Sequence, residues 1–385
     1  MLARTPNRVA NYLDSIEHLV PLVAQHRATF DQDRRLPDVV FNALADAGLF
    51  RLWLPEALAG PELSPHEFMT VVEAASALDG SVGWLVGNGG GMSRVGGYLP
   101  EVAARDLFAD TRAFIASATG AVGAARKVPG GYRVSGRWPF GSGAHHATLF
   151  MGLASLKGRD GADGPLFCCY FGRQDVSIHD TWPVSGLRAT GSCDFEVRDA
   201  FVSERCTHVF VGYEPRQAGA LYRLPALSAF AWTVAVVPLG IARGAMDAFV
   251  ALAQRKARQG TSALLRDREI VQGSFGRVAS MYLAARAYLI DAMSELMAAV
   301  PEAGQRLIEA RARLRAAGTH AAESALRIVD ILAAEAGAIS IFESCPMERF
   351  VRDVHAAAKH IAMSSNNFVV AGRIGLGLDP GTARF

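Results

Sequence analysis

Cysteine is scarce in this chain, and the few cysteines follow no pattern. The 385 residues include five, at Cys168, Cys169, Cys193, Cys206 and Cys345. An odd number without a repeated C-x-x-C spacing argues against a disulfide framework and against a zinc site. The first residues also lack the apolar run of a secretory signal. These absences predict a cytoplasmic protein without a bound metal.

An excess of charge of one sign is also missing. Lysine and arginine number 39 against 37 aspartates and glutamates, which gives a net charge of +2. The two signs are mixed along the chain, so neither nucleic acid nor a membrane surface is an expected partner. The uncharged stretch 224–242 approaches the length of a membrane span, but Pro225, Pro238 and Gly240 interrupt it. A buried core helix is therefore predicted there.

Several motifs of well-known enzyme classes are absent from the sequence. It contains no H-E-x-x-H, EF-hand loop or Walker sequence, and no recognisable Ser-His-Asp order. The glycine-rich run Gly87–Met92 follows a helical pattern instead of a strand, so it does not indicate a dinucleotide site. A redox enzyme with this sequence would need its electrons from another protein.

Hydrophobic periodicity divides the chain into three regions. The first is helical, as in Leu36–Leu44, where apolar residues recur at spacings of three and four before Gly48. Short runs separated by glycines then predict strands, and Gly130-Gly131 suits a hairpin turn. Long helical segments return after Leu224. The predicted domains are an N-terminal helical domain, a central β-domain and a C-terminal helical bundle, at residues 1–112, 113–215 and 216–385.

The run Pro346–Asp353, with the sequence PMERFVRD, resembles the Pro-x-Glu-Arg-x-x-Arg-Asp helix entry of acyl-CoA dehydrogenases. In many of these enzymes a glutamate base follows at about the position held here by Ile361. The resemblance implies an α+β multidomain fold: an N-terminal helical domain, a central β-barrel-like domain and a C-terminal helical bundle. Because the base is missing, it also implies a different chemistry on that scaffold.

The predicted β-domain contains Phe140-Gly141-Ser142-Gly143, which resembles a segment of the two-component oxygenases within this superfamily. The resemblance implies that Phe140 and Ser142 contact a flavin. A serine hydroxyl at this place can accept a hydrogen bond from flavin N5, and holding that proton slows the loss of peroxide. Ser142 is therefore also a predicted catalytic residue.

A second segment, Trp182–Ser192, is similar to the Gly-Met-Arg-x-Thr-Gly-Ser segment of polyketide hydroxylases in the same group. The resemblance implies flavin contacts for Trp182 and Ser192, whereas Arg188 could bind a ligand or brace the turn. Ser117 and Thr119 occupy the place of another flavin-contacting loop. Arg258 lies where dehydrogenases have a motif that meets cofactor phosphates from a neighbouring subunit, although the Phe-Gly of that motif is absent.

His360 is the central catalytic prediction, because related oxygenases place a histidine beside the flavin at this position. Its near-neutral unperturbed pKa suits proton delivery. A helix running from about Glu348 would place His355 and His360 roughly 140° apart, so only one could face a small pocket. The predicted substrate contacts are Trp84, His145 and His146; on an extended strand only one of the adjacent histidines can face a pocket.

Together these resemblances imply a group D flavin-dependent monooxygenase, the oxygenase component of a two-component system. Such an enzyme binds reduced FMN or FAD from a separate flavin reductase and reacts with dioxygen to form a flavin C4a-hydroperoxide. It then oxygenates an apolar small molecule, here expected to be aromatic or heteroaromatic. Family likeness also implies a homotetramer.

Two alternatives remain open at this point. The chain could be an FAD-dependent acyl-CoA dehydrogenase whose base comes from another helix, with Glu343 or Glu323 as candidates. It could also be a non-catalytic paralogue that keeps the fold without flavin.

Overall fold

The structure is a computed structural model that describes residues 8–157, 163–212, 214–257, 260 and 262–382. It divides into two compact units. Unit 1 comprises Met1–Phe68, Leu85–Val184 and Arg188–Ala226. Unit 2 comprises Met69–Trp84, Ser185–Leu187 and Leu227–Phe385. Each unit is described by itself.

The first third of the chain is helical, as its periodicity predicts. The helices are α1 (Arg8–Asp33), α2 (Asp38–Asp46), α3 (Pro65–Leu78), α4 (Gly80–Met92) and α5 (Glu101–Leu107). The predicted apolar repeat Leu36–Leu44 forms most of α2, and Gly48 follows it with a φ of +73°. Such a left-handed residue after a helix is most readily glycine. The glycine-rich run 87–92 is helical, since it forms the second half of α4.

The middle of the chain forms one mixed sheet of seven strands in unit 1. The strands are β1 (Ile115–Val128), β2 (Gly131–Gly141), β3 (Leu149–Lys157), β4 (Asp163–Gly172), β5 (Ser177–His179), β6 (Cys193–Ser203) and β7 (Thr207–Val209). Their order across the sheet is β5-β6-β2-β1-β3-β4-β7. β1 and β3 run parallel, and the other neighbouring pairs are antiparallel. The predicted hairpin joins β1 to β2, with Gly130 at a φ of +77°.

Trp138 on β2 is the largest buried side chain of the sheet. Its ring is fully buried between Phe171 and Phe195, and its indole N–H donates to the carbonyl oxygen of Leu153 at 3.0 Å. A Cβ atom on Gly152 would come within 2.5 Å of the indole, so glycine is needed on β3 for the ring to fit. The sheet core thus places the end of β2, with Phe140 and Ser142, at a fixed position.

The C-terminal helices make up most of unit 2. They are α6 (Ala226–Ala235), α7 (Val237–Ala253), α8 (Glu269–Ala299), α9 (Gly304–Ala336), α10 (Pro346–Ala357) and α11 (Asn366–Gly375). α9 contacts α7, α8, α10 and α11. It continues through Gly318 without a break and ends at Ala336, which Gly337 follows. Packing explains the continuity, because Gly318 lies buried beside Ala235.

The segment Ala226–Ala253 is long and apolar enough to cross a membrane by length and composition. It contains α6 and α7, and 67% of its most apolar window is buried inside the protein. The same test is passed by core helices of large bundles, and the burial agrees with the predicted core helix.

Candidate functional site

Residues 180–192, called the connector below, join β5 to β6 and carry two of the predicted flavin contacts. Arg34 donates to both carboxylate oxygens of Asp180, at 2.8 and 2.7 Å, and this guanidinium lowers the pKa of Asp180. Arg188 donates to the carbonyl oxygen of Asp31 at 3.0 and 3.2 Å. Arg188 therefore braces the connector against the end of α1, the second of the two roles that its sequence allowed.

Three buried hydroxyl groups meet at the end of the connector, and we call Ser142, Thr190 and Ser192 the hydroxyl cluster. The Oγ atom of Ser192 lies 2.8 Å from Oγ of Ser142 and 2.7 Å from Oγ1 of Thr190. All three residues are at most 7% exposed. The backbone N–H of Gly143 also donates to the carbonyl oxygen of Thr190 at 2.7 Å. Two predicted site residues that are fifty positions apart in sequence are thus hydrogen-bonded to each other.

Phe140 lies beside this cluster in sequence and has an unusual conformation. Its φ is +65°, at a point where β2 and β6 lose register between Trp138 and Gly141. A non-glycine residue pays for this left-handed backbone with steric strain. Its ring is 67% exposed and meets Trp182 edge-to-face, with centroids 6.2 Å apart. The strained backbone conformation therefore places an aromatic side chain outside the core, next to a second predicted flavin contact.

Ser117 and Thr119 lie on β1 and are both half-buried. β1 leaves its register with β3 between Ala118 and Val122, which places Thr119 in the irregular stretch. A Cβ atom on the neighbouring Gly120 would meet only Pro139, at 3.9 Å. These two hydroxyl groups therefore lie on β1, whereas the hydroxyl cluster lies just after β2 and on the connector. Arg258 lies outside the described residues.

The adjacent histidines face different surroundings, although they lie in a turn after β2 and not on the extended strand that the sequence argument assumed. The ring of His146 stacks on Phe41 at 4.2 Å, with Nε2 2.8 Å from the carbonyl oxygen of Leu36 and Nδ1 3.5 Å from Asp38. Burial lowers its pKa. His145 is exposed, and its Nε2 lies 3.5 Å from the sulfur of Cys193. His146 thus has the contacts of a structural residue, while His145 remains accessible to a ligand.

His360 is not on a helix with His355, contrary to the sequence prediction. α10 ends at Ala357, and His360 precedes the 3₁₀ helix Ile361–Met363. His355 is exposed and pairs with Asp330 at 3.0 Å. The 140° argument therefore does not apply.

The break before His360 has a tertiary cause within unit 2. The side chain of buried Asn367 donates to the carbonyl oxygen of Ala362 at 2.9 Å and to Thr319 at 3.0 Å. These bonds fix the residues after His360 in a tight turn that an extended α10 could not provide. Tertiary contacts here override the helix propensity of the alanines before His360.

The imidazole of His360 is held by one backbone group and one aromatic ring. Its Nδ1 accepts a hydrogen bond from the N–H of Ala362 at 3.2 Å, and its ring meets Trp84 edge-on at 5.6 Å. Desolvation lowers the pKa of His360 to about 4, although the residue keeps an accessible surface. Because Nδ1 accepts, the proton of the neutral ring is on Nε2, which is a donor.

The aromatic and hydroxyl side chains described above in unit 1 fit a flavin. An isoalloxazine ring needs flat apolar contacts and hydrogen-bonding groups at its polar edge. The exposed ring of Phe140, the half-buried Trp182 and the adjacent hydroxyl cluster supply both kinds of contact. Thr190 belongs to this set but was not among the predicted site residues. Its place in the Thr-Gly-Ser run was the one sequence signal that could have indicated it.

Comparison with known proteins gives the same family over almost the whole chain. Residues 16–96 match the model "Acyl-CoA dehydrogenase, N-terminal domain", and residues 232–365 match "Acyl-CoA dehydrogenase, C-terminal domain". The oxygenase subunit HsaA of a flavin-dependent monooxygenase from Mycobacterium tuberculosis is 30% identical, over 96% of each chain. Indole-3-acetate monooxygenase from Pseudomonas putida is 29% identical, over 91% of this chain and 90% of that one.

A solved structure supports the same assignment. XiaF from Streptomyces, in complex with FADH2 and glycerol, superposes with a TM-score of 0.88 at 27% identity and covers 97% of each chain. The resemblance inferred from the Pro346–Asp353 run and the predicted α+β multidomain fold are therefore confirmed. The chain belongs to the acyl-CoA dehydrogenase superfamily and, within it, to the oxygenase components of the flavin-dependent monooxygenases.

Proposed function

We propose that this enzyme takes reduced FMN or FAD from a separate flavin reductase and transfers one atom of dioxygen to an aromatic or heteroaromatic small molecule. The observation that carries the proposal is the buried hydroxyl cluster beside the exposed Phe140, in a chain whose relatives are named flavin-dependent monooxygenases. Reduced flavin, when bound, supplies the two electrons that activate dioxygen. The protein supplies binding, orientation and control of protons.

Phe140, Ser142, Trp182 and Ser192 hold the flavin in this proposal, with Ser117, Thr119 and Arg258 as further contacts. The Ser142 hydroxyl can accept a hydrogen bond from the cofactor while it donates to Ser192, since a hydroxyl is both donor and acceptor. Ser192 can in turn donate to Thr190. In this order of donors the Ser142 oxygen would accept a hydrogen bond from the cofactor atom that it faces and would hold a proton there.

His360 acts as a hydrogen-bond donor in this proposal. With its pKa lowered to about 4 the ring is neutral at pH 7, and Nε2 carries the proton. It can donate to an oxygen atom that gains negative charge during transfer. Trp84, 8% exposed, supplies an apolar wall beside the ring and helps to exclude water.

The substrate contacts proposed here are Trp84 and the two histidines of the β2–β3 loop, of which accessible His145 suits the role better than His146. An aromatic substrate is supported by the name of one relative, which acts on indole-3-acetate. Dehydrogenase chemistry has little support, because the candidate bases Glu323 and Glu343 are both exposed and the relatives are monooxygenases.

The assembly and organisation follow the family. We propose a homotetramer in the cytoplasm, with a flavin reductase as its functional partner and no role for nucleic acid or a membrane. We also propose the division into domains 1–112, 113–215 and 216–385.

The test is rapid mixing of anaerobic protein and reduced FMN or FAD with oxygenated buffer, with and without a panel of indoles and phenols. We measure the oxygenated product and the hydrogen peroxide released. The proposal predicts that one panel member converts most of the reduced flavin equivalents into product. Rapid release of peroxide at the rate of free reduced flavin, with and without every compound, would contradict it.

A further inference from the structure

Two ionisable residues of α10 bind one short stretch of the connector, although neither has a part in the proposed reaction. Nη1 of Arg352 donates to the carbonyl oxygen of Ser185 at 3.1 Å. The N–H of Leu187 donates to Oδ1 of Asp353 at 2.7 Å. The stretch Ser185–Leu187 belongs to unit 2, as α10 does. The helix is therefore hydrogen-bonded to both the first and the last residue of this three-residue stretch.

The stretch lies directly on the helix and has a strained backbone. A Cβ atom on Gly186 would come within 3.0 Å of the Ala356 side chain and still closer to the Arg352 carbonyl group, so only glycine fits. Leu187 has a φ of +51°, which is unfavourable for a residue with a Cβ atom. Such a conformation persists only where the surrounding structure holds it. The bonds from Arg352 and Asp353 are contacts that can hold it.

The Asp353 carboxyl group is itself fixed in place. It is 2% exposed, and its Oδ2 atom has no hydrogen-bond partner among the described residues. Burial and the neighbouring charge of Asp79 raise the pKa of Asp353 to about 7, while the Leu187 N–H, Arg349 and Arg352 act in the opposite direction. Asp79, 1% exposed, accepts from the N–H of Ser81 at 2.9 Å. A carboxyl group in these surroundings has little freedom to turn away from Leu187.

We propose that Arg352 and Asp353 are positioning residues that hold Ser185–Leu187 and thereby fix the connector on which Trp182 and Ser192 lie. Trp182 is separated from the stretch by two residues and Ser192 by four. A change of the Leu187 backbone would therefore reach both side chains through the chain itself. The consequence for flavin rests on the proposed function, whereas the clamp on the connector does not.

The first test measures hydrogen exchange of the Leu187 amide in flavin-free protein. Asp353→Ala removes the acceptor, so we expect exchange about tenfold faster or more. Asp353→Asn keeps a carbonyl oxygen for the same bond and should exchange at nearly the wild-type rate. His355→Gln, on the exposed surface of α10, is the matched control and should change nothing. Equal exchange in wild type and Asp353→Ala would overturn the clamp.

Arg352→Gln provides a second variant if Asp353→Ala does not fold. It removes the bond to Ser185 and leaves the Leu187 bond in place. We expect exchange at Leu187 to be faster than in the wild type but slower than in Asp353→Ala, which loses the acceptor. An unchanged rate would remove Arg352 from the clamp.

The second test measures the dissociation constant of reduced FMN by anaerobic fluorescence titration of the same variants. We expect Asp353→Ala to bind about tenfold more weakly, as is typical when a residue that orients a ligand-binding side chain is lost, and Asp353→Asn to restore binding. If Asp353→Ala exchanges rapidly and binds flavin like the wild type, the positioning role is wrong and the proposed function stands. If the wild type binds no flavin, the proposed function fails, and the exchange rates still decide the clamp.

Discussion

The hydroxyl cluster of unit 1 and two titratable side chains of unit 2, His360 and Asp353, differ in how they can respond to pH. In unit 1 the hydroxyl cluster consists of neutral groups that bond to one another at 2.7–2.8 Å. In unit 2 the notable groups are titratable, and desolvation moves their pKa values in opposite directions, to about 4 for His360 and about 7 for Asp353. Both shifts favour the uncharged form. The hydroxyl cluster of unit 1 thus holds fixed dipoles, whereas His360 and Asp353 of unit 2 can gain or lose a proton.

This difference suggests a division of labour. Hydrogen bonds between hydroxyl groups do not change between pH 5 and 9, so the geometry of the proposed flavin contacts should be insensitive to pH. Protonation of His360 and of Asp353 depends on pH, and the surroundings of each group set the pH at which it occurs. Substitutions in the hydroxyl cluster should therefore act equally at all pH values, and those at His360 and Asp353 should act through proton transfer or through the pH dependence of stability.

The largest expected effect is on oxygen transfer by His360→Ala. Losing a positioned proton donor costs about 10²-fold or more in rate, so product formed per reduced flavin should fall strongly while hydrogen peroxide rises. Stability should change by less than about 0.5 kcal/mol, because the residue is exposed and its side chain has one backbone bond. Product yield and urea unfolding measure the two quantities.

His355→Ala is the control for this substitution, since it removes an exposed histidine of the same unit. It should leave product yield unchanged. Since the neutral ring of His360 is the active form, wild-type yield should be flat above about pH 5 and change only as pH falls towards 4. A His360→Ala enzyme with normal yield would assign proton control to another residue.

The next effect concerns the stability of Asp353→Asn as a function of pH. Asp353 is protonated in the folded protein up to a pKa of about 7, whereas the unfolded chain ionises near 3.8. Between these values folding takes up a proton, so wild-type stability falls as pH rises, by about 1.4 kcal/mol per unit for one proton. The amide does not titrate, and it can still accept from Leu187.

Urea unfolding at half-unit steps from pH 4 to 8 measures the difference. The stability of Asp353→Asn relative to wild type should increase across the window and level off above about pH 7. Asp330→Asn, which changes an exposed carboxylate of the same unit, is the control. Parallel curves for wild type and Asp353→Asn would show that Asp353 ionises normally, and the contrast between the units would then rest on His360 alone.

The hydroxyl cluster gives a smaller effect that should be independent of pH. Ser192→Ala removes the central hydroxyl, to which Ser142 and Thr190 both bond. Losing both of these buried hydrogen bonds costs about 1–3 kcal/mol, and flavin binding should weaken as well. Unfolding free energies at pH 6 and 8 should fall by the same amount. Ser177→Ala, at an exposed position on β5, should cost less than about 0.5 kcal/mol.

Local sequence signals predicted the elements that depend on neighbours along the chain. The apolar repeat before Gly48 and the Gly130 hairpin both have the predicted form, because a helix face and a two-residue turn are encoded within a few residues. The sequence did not predict the end of α10. The alanines before His360 favour a helix, and the bonds of Asn367 that break it come from another part of unit 2.

The site shows the same limit. Family likeness singled out Ser142 and Ser192, which the fold brings within 2.8 Å of each other. It did not single out Thr190, whose role as a neighbour depends on the path of the connector. It also identified the Arg352-Asp353 pair only as a motif. The hydrogen bond from the Leu187 N–H to Asp353 joins residues that are 166 positions apart in sequence. No periodicity in the sequence encodes such a contact.

The smallest effect tests whether unit 1 stores strain for its ligand at Phe140. Phe140→Gly relieves a left-handed backbone at a cost of little buried surface, since the ring is 67% exposed. We expect the unfolding free energy to rise by about 1 kcal/mol while reduced FMN binds several-fold more weakly. Asp199→Gly, at another exposed residue with positive φ (+48°), should stabilise without changing flavin affinity. A Phe140→Gly protein that is more stable and binds flavin as tightly as the wild type would mean that the strained aromatic residue serves no ligand, and the hydroxyl cluster alone would then define the proposed flavin contacts of β2.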